Sequence, residues 1–234
     1  PRSTLFPYTT LFRSPAGIGN SLVVETKEKN FKDLKKFSFI ICWISGICTV
    51  CLLCLYQPFM ELWVGKELML SFYAVICFSI YFFIRQLNGL LNLYKDASGM
   101  WHEDRYRPLI AALTNLILNI ILVRIIGIYG ILLSTVIAVL IVGIPWLLHN
   151  LFTYVFERDC LALYLKKIVG YVVVITISCV VTYYICSQIV LPTILNLVVR
   201  AIICCILPNF IYYMVYHNCD EFQQAVMLLK KLKK

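Results

Sequence analysis

Arg85, Asn88, Gly89 and Asn92 sit in an otherwise apolar run, at the three- and four-residue intervals that put side chains on one helix face. A second pair, Asn115 and Asn119, stands one turn apart in another apolar run. An arginine so placed has two uses. It can snorkel to the headgroups, since it lies about six residues, or roughly 9 Å of helix, from the end of its run. Alternatively it faces a water-filled cavity and receives an anionic head group, with the amides adding neutral hydrogen bonds. A lone snorkelling arginine has no need of the polar stripe beside it. For Asn115 and Asn119 the choice is between interhelical hydrogen bonding and cavity lining. Arg124 and Arg200, near the ends of their runs, read as anchors.

Other reactive residue types form no catalytic set. His102-Glu103-Asp104 could do acid–base work, but it stands in a charged segment with no partner motif and reads as a solvated loop. No glycine-rich phosphate loop or nucleophile elbow is present. Of eleven cysteines, Cys42, Cys48, Cys51, Cys54, Cys77, Cys179, Cys186, Cys204 and Cys205 lie inside apolar runs, where free cysteine acts as a small hydrophobe. Cys51-Leu-Leu-Cys54 has zinc-ligand spacing but no second pair and no nearby histidine. His217-Asn-Cys219 is equally isolated. Both read as structural, so neither a metal nor any other cofactor is expected.

The elements that must position these residues follow from composition. Hydrophobic residues make up 61% of the 234 and charged residues 14%, against about 45–50% and 25% in a soluble domain. Mean hydropathy is +0.84. Several apolar runs reach the length of about 20 residues that crosses a bilayer. These values exclude a disordered chain and an ordinary soluble enzyme, and they specify an all-α integral membrane protein. Six spans are expected, at Phe37–Tyr56, Met69–Leu91, Pro108–Ile126, Ile131–Phe152, Ile168–Val190 and Ile194–Tyr216. Pro108 suits a first helical turn, Gly127 and Gly130 mark a tight turn, and Pro145 marks a kink.

A net charge of +9 raises nucleic-acid binding, but no binding motif accompanies it, and the bases lie in short loops between spans. Alternate loops carry five, three, three and four Lys or Arg residues. The opposite side receives Lys66 and, at the most, Arg124 and Arg200. By the positive-inside rule the basic loops are cytoplasmic, as are both ends of the chain. The segment 15–36 reads as a cytoplasmic connection with a basic helix, 37–152 as a four-helix unit and 153–167 as a cytoplasmic loop. Residues 168–216 form a terminal helix pair. In the basic tail, 217–234, Phe222, Val226 and Leu229 share one face, which suits a helix lying along the membrane surface.

The first residues stand apart. Thr4–Ser14, TLFPYTTLFRS, has neither the unbroken apolar core nor the cleavage site of a secretory signal. Read back into codons, it resembles a sequencing-library adapter. Residues 1–14 are therefore set aside as a non-native scar, and the chain is expected to be a C-terminal fragment entering near Pro15.

The run YKDASGMWHEDRYRPLIAALTNLILNIILVRIIGIYGILLSTVIA resembles the C-terminal lobe of polysaccharide flippases, the O-antigen, teichoic-acid and capsule repeat-unit transporters of the multidrug/oligosaccharidyl-lipid/polysaccharide exporter superfamily. GIGNSLVVETKEKNFKDLKKF looks like that family's connection after its eighth helix, and LYQPFMELWVGKELML like the external loop after its ninth. Together they cover Pro15–Phe156; the last helix pair fits by position and length.

The resemblance implies a two-lobed bundle of twelve to fourteen helices, of which this chain supplies helices nine to fourteen. It implies an undecaprenyl-pyrophosphate-linked oligosaccharide as substrate, flipped across the bacterial cytoplasmic (inner) membrane by rocking of the lobes. Lipopolysaccharide or capsule export would be the outcome. Arg85, Asn88, Asn92, Asn115 and Asn119 become cavity candidates for binding that substrate. The implied partners are the lipid bilayer, an N-terminal lobe of the same polypeptide, and a polysaccharide polymerase and glycosyltransferases; nucleic acid is not among them. Without the N-terminal lobe the chain is not expected to transport. A multidrug exporter of the same superfamily is the first alternative, though it should carry carboxylates within its spans. A membrane enzyme of envelope polysaccharide synthesis, which needs a large external loop or a catalytic cluster, and a membrane scaffold subunit are the others.

Overall fold

The computed structural model describes residues 15–189 and 191–232; the adapter-like segment, Val190, Lys233 and Lys234 lie outside them. The described residues form nine helices and no strand: α1 (Pro15–Val24), α2 (Lys27–Trp63), α3 (Phe72–Ala97), α4 (Trp101–Asp104), α5 (Arg107–Ile126), α6 (Ile128–Val155), α7 (Cys160–Ser187), α8 (Thr193–Tyr216) and α9 (Asp220–Leu232). Six are long and apolar enough to cross a membrane, α4 and α5 counting together as one. An all-α, multi-pass membrane architecture is therefore established.

α2 is the axis of the bundle, packing against α3, α7 and α8. Its 37 residues give about 55 Å of helix, nearly twice the hydrocarbon thickness. Thr26 caps it, its hydroxyl accepting from the Lys29 amide. The polar segment before Phe37 is thus one continuous rod with the span. Nor does the helix end at Gln57-Pro58, as the sequence suggested; it passes Pro58 and stops at Trp63. Near a helix end a proline removes one hydrogen bond and leaves few turns beyond it to disrupt.

Aromatic residues join α2 to the terminal pair. The Phe39 ring meets Trp43, Tyr171, Tyr216 and Phe222 at centroid distances of 5.4 to 6.2 Å, the separation at which edge-to-face pairs are favourable. Polar contacts support them: Ser38 and Tyr164 share a buried hydrogen bond of 3.0 Å, and Trp43 Nε1 donates to Asn209 Oδ1 at 3.1 Å. In lipid, such packing and hydrogen bonding replace the hydrophobic drive that assembles soluble cores.

α5 and α6 form a close antiparallel hairpin. Gly127 turns it with φ of +61°, and a β-carbon on Gly130 would fall 2.4 Å from the Leu122 carbonyl carbon. The chain can reverse here only without side chains. α6 does not break at Pro145. Instead the helix widens into a π turn over Val139–Gly143, and the Ile144 amide reaches back to the Val139 carbonyl. Proline brings no N–H to the carbonyl four residues earlier, and a wider turn accommodates the mismatch without a sharp bend. A second π turn, Leu151–Val155, ends the helix.

The tail helix α9 packs on the bundle. Phe222 stacks among Phe39, Trp43 and Tyr213, and Ala225 is buried. Glu221, 5% exposed, pairs with Lys167 at the start of α7 and lies 3.9 Å from Lys35 of α2. That carboxylate selects the docked position.

Candidate functional site

α6 packs against both α3 and α5, so the two sets of polar residues singled out in the sequence meet it at different heights. The α3 stripe divides three ways. Arg85 is exposed and finds no hydrogen-bond or ion-pair partner among the described residues. Gly89 lies beside it, open, with nothing within 4 Å of a built β-carbon. Asn88 instead is buried, and its Oδ1 has no hydrogen-bond partner among the described residues. It points at the π turn of α6, where a β-carbon on Gly143 would sit 3.7 Å away. Asn92 donates to the Asn88 carbonyl at 2.8 Å and accepts from Arg107 Nη2 at 2.9 Å.

The α5 pair behaves as a single unit. Asn119 Nδ2 donates to Asn115 Oδ1 at 3.4 Å, and the buried Ser134 hydroxyl of α6 reaches Asn119 Oδ1 at 2.5 Å. This is an interhelical hydrogen bond of the kind the spacing allowed. Beside it a shallow recess of about 430 Å³ is lined by Asn119, Ile120, Val123, Arg124 and Ile131. Ser134 and Gly143 are nine residues apart, so the two polar sets lie about 13 Å from each other along α6. No residue of α5 is buried. Its whole outer surface, with the recess, is open.

The loop from α3 to α5 corrects the sequence reading most clearly. One of its two acidic residues is buried and paired: Asp104 is 4% exposed. Arg107 grips it with two hydrogen bonds, Nε to Oδ1 at 2.5 Å and Nη2 to Oδ2 at 2.8 Å. Lys95 approaches Asp104 at 3.5 Å, pairs with Asp96 at 2.6 Å and stands 4.2 Å over the Trp101 ring. Trp146 and Asn150 of α6 both donate to the Glu103 carbonyl at 3.3 Å. Only His102 remains exposed in this short motif. The loop is therefore a clamp tying α3, α5 and α6 at one end of the bundle. Through Asn92 it connects to the polar stripe. One signal was legible: Asp104 and Arg107 stand three apart, the spacing of a helical ion pair. The Lys95 contact depends on the return of the loop and had none.

The polar face, the open α5 and the clamp define a multi-pass helical bundle in which Arg85 is exposed within a span. No family model matches the sequence, and no curated protein matches it. The chain is similar in fold to a solved structure, "Lipid II flippase MurJ, inward closed conformation", at 16% identity and a TM-score of 0.65, covering 89% of this chain. The match takes in 43% of the MurJ chain, so this chain spans less than half of its neighbour. The chain shares the all-helical membrane fold of part of that protein.

Proposed function

We propose that the chain is part of a transporter that moves a lipid-linked oligosaccharide across the cytoplasmic membrane. The likeness to a protein named as a lipid II flippase carries this reading. The unpartnered Arg85 supports it, since an anionic head group would complete its bonding. More specifically, the substrate is an undecaprenyl-pyrophosphate-linked repeat unit destined for a cell-surface polysaccharide. Arg85 meets the pyrophosphate, and Asn88, Asn92, Asn115 and Asn119 line the route. α3 and α5 face an N-terminal lobe, and alternating access comes from rocking of the two lobes, with the basic loops on the cytoplasmic side. Among the described residues no carboxylate lies in the middle of a span, which sets the chain apart from the drug-exporter alternative.

A strain deleted for the full-length parent gene tests the reading. Lipid-linked repeat units should accumulate on the inner leaflet while the surface polysaccharide disappears. Normal surface polysaccharide without accumulation would end the proposal. Arg85→Ala in the full-length parent should reduce export with membrane insertion intact; unchanged export would return Arg85 to snorkelling.

A further inference from the structure

The cysteines that read individually as small hydrophobes are sorted by the tertiary structure. Cys54 of α2, Cys186 in the last turn of α7 and Cys204 of α8 are 2%, 1% and 0% exposed. Their three sulfurs all lie within 4.8 Å of one another. Cys51, one turn before Cys54, packs against the same group. The Cys51-Leu-Leu-Cys54 pair lacks a second pair in sequence, and two other helices supply it. Among the described residues, no other group of three or more histidine, cysteine or acidic side chains comes as close together.

The donor set is all sulfur. Leu55, Ile203 and Cys179 wall it, and among the described residues no histidine or carboxylate belongs to it. Thiolate-only sites select soft cations, copper(I) and zinc among them, over magnesium, calcium or manganese. Structural zinc closes with four ligands in a tetrahedron. Here three thiols lie within 4.8 Å of one another, and Cys51 does not join that group. A monovalent ion also suits the apolar setting. Bound by two thiolates and one neutral thiol, it leaves a single buried negative charge, no more than a divalent ion held by three thiolates, so the count of three close sulfurs decides and not the charge.

We propose that Cys54, Cys186 and Cys204 form a binding site for a soft, thiophilic monovalent cation of the copper(I) class. Each of two sulfurs exchanges its proton for the metal, and both protons leave to solvent. Ser187 ends α7 beside the site, so the route out is short. Binding staples the α7–α8 pair to α2 and strengthens as pH rises, because metal competes with protons for the thiols. The inference does not depend on the transport reading.

The test uses the whole chain in lipid nanodiscs, kept reduced with a phosphine and titrated with copper(I) from its bicinchoninate complex. One copper per chain should be withdrawn, with ultraviolet thiolate-to-copper absorption, an all-sulfur X-ray absorption spectrum and a raised thermal midpoint. Cys48→Ser and Cys205→Ser, at exposed positions, should leave all four readouts unchanged. Cys54→Ser, Cys186→Ser and Cys204→Ala should each abolish them. If a variant fails to insert, the wild-type X-ray spectrum decides alone: nitrogen or oxygen neighbours overturn the proposal. So does failure to withdraw copper, binding that survives in all three variants, or an unreduced protein two hydrogens lighter, which marks a disulfide.

Discussion

The hydroxyl of Tyr212 lies 2.9 Å from the point where a β-carbon on Gly46 would stand, and Ile175 Cγ1 is equally near on the other side. α2 approaches α7 and α8 this closely because residue 46 has no side chain, the small-residue device of membrane helix packing. Gly46→Ala should therefore destabilise the bundle by about 1–3 kcal/mol, the range for overpacking. Gly170→Ala, with nothing within 4 Å of the added carbon, should be neutral or stabilising by up to about 1 kcal/mol. Steric-trapping measurements in bicelles would compare the two; equal effects would contradict the close contact.

Asp104 and Arg107 form a forked pair at one end of the bundle. Asp104→Asn leaves the partly buried Arg107 guanidinium with only its Asn92 bond and should cost about 2–3 kcal/mol. Arg107→Lys should rescue little, because an ammonium cannot make the paired hydrogen bonds of the fork. A double-mutant cycle over these positions should show strong coupling. Additive effects would mean that the pair is exposed to solvent.

Ser134→Ala removes the hydroxyl that joins α6 to Asn119. Interhelical hydrogen bonds within membranes average about 0.6 kcal/mol and reach about 1.7. A loss in that range, read by unfolding in mixed micelles, is expected. Thr135→Ala makes the control, since Thr135 bonds only its own helix, at the Ile131 carbonyl.

Docking of α9 should depend on pH through Glu221. Burial acts to raise its pKa, but hydrogen bonds from Lys167 and the backbone, with the charges of Lys167 and Lys35, outweigh burial and hold it below 4.5. A carboxylate whose folded value is depressed stabilises the docked form above its unfolded value, and the effect is lost as pH falls through the folded one. α9 should therefore stay docked at neutral pH and loosen only as pH falls below the ordinary range of a glutamate carboxyl. Amide exchange across Asp220–Leu232 would show it. Glu221→Gln should loosen the helix at every pH, by on the order of 1–2 kcal/mol. Protection that does not change with pH in the native chain would contradict this.

The spans were legible because membrane insertion is read from local sums: each apolar run carries its own signal, and none depends on a partner. Pro108 and Gly127 stand where their backbone chemistry placed them. The ends of α2 were not legible. A basic segment and a proline look like boundaries, yet neither stops a helix whose backbone bonds continue through them. The candidate site was half legible. Three- and four-residue spacing put Arg85, Asn88 and Asn92 together, but spacing cannot say which neighbour each meets. One turned outward, one met the π turn of α6, and one joined the loop clamp.

Sequence alone determined the six helices, among the described residues, that are long and apolar enough to cross a membrane, because the cost of exposing backbone polar groups to lipid allows a long apolar segment no other form. Tertiary structure decided what gathers where: Asp104 beneath Lys95 and Arg107, Glu221 between two lysines, and three cysteines from three helices at one point. Such meetings depend on how the helices cross and how far one slides along another. Those quantities arise from contacts between residues distant in the chain, and no local pattern records them.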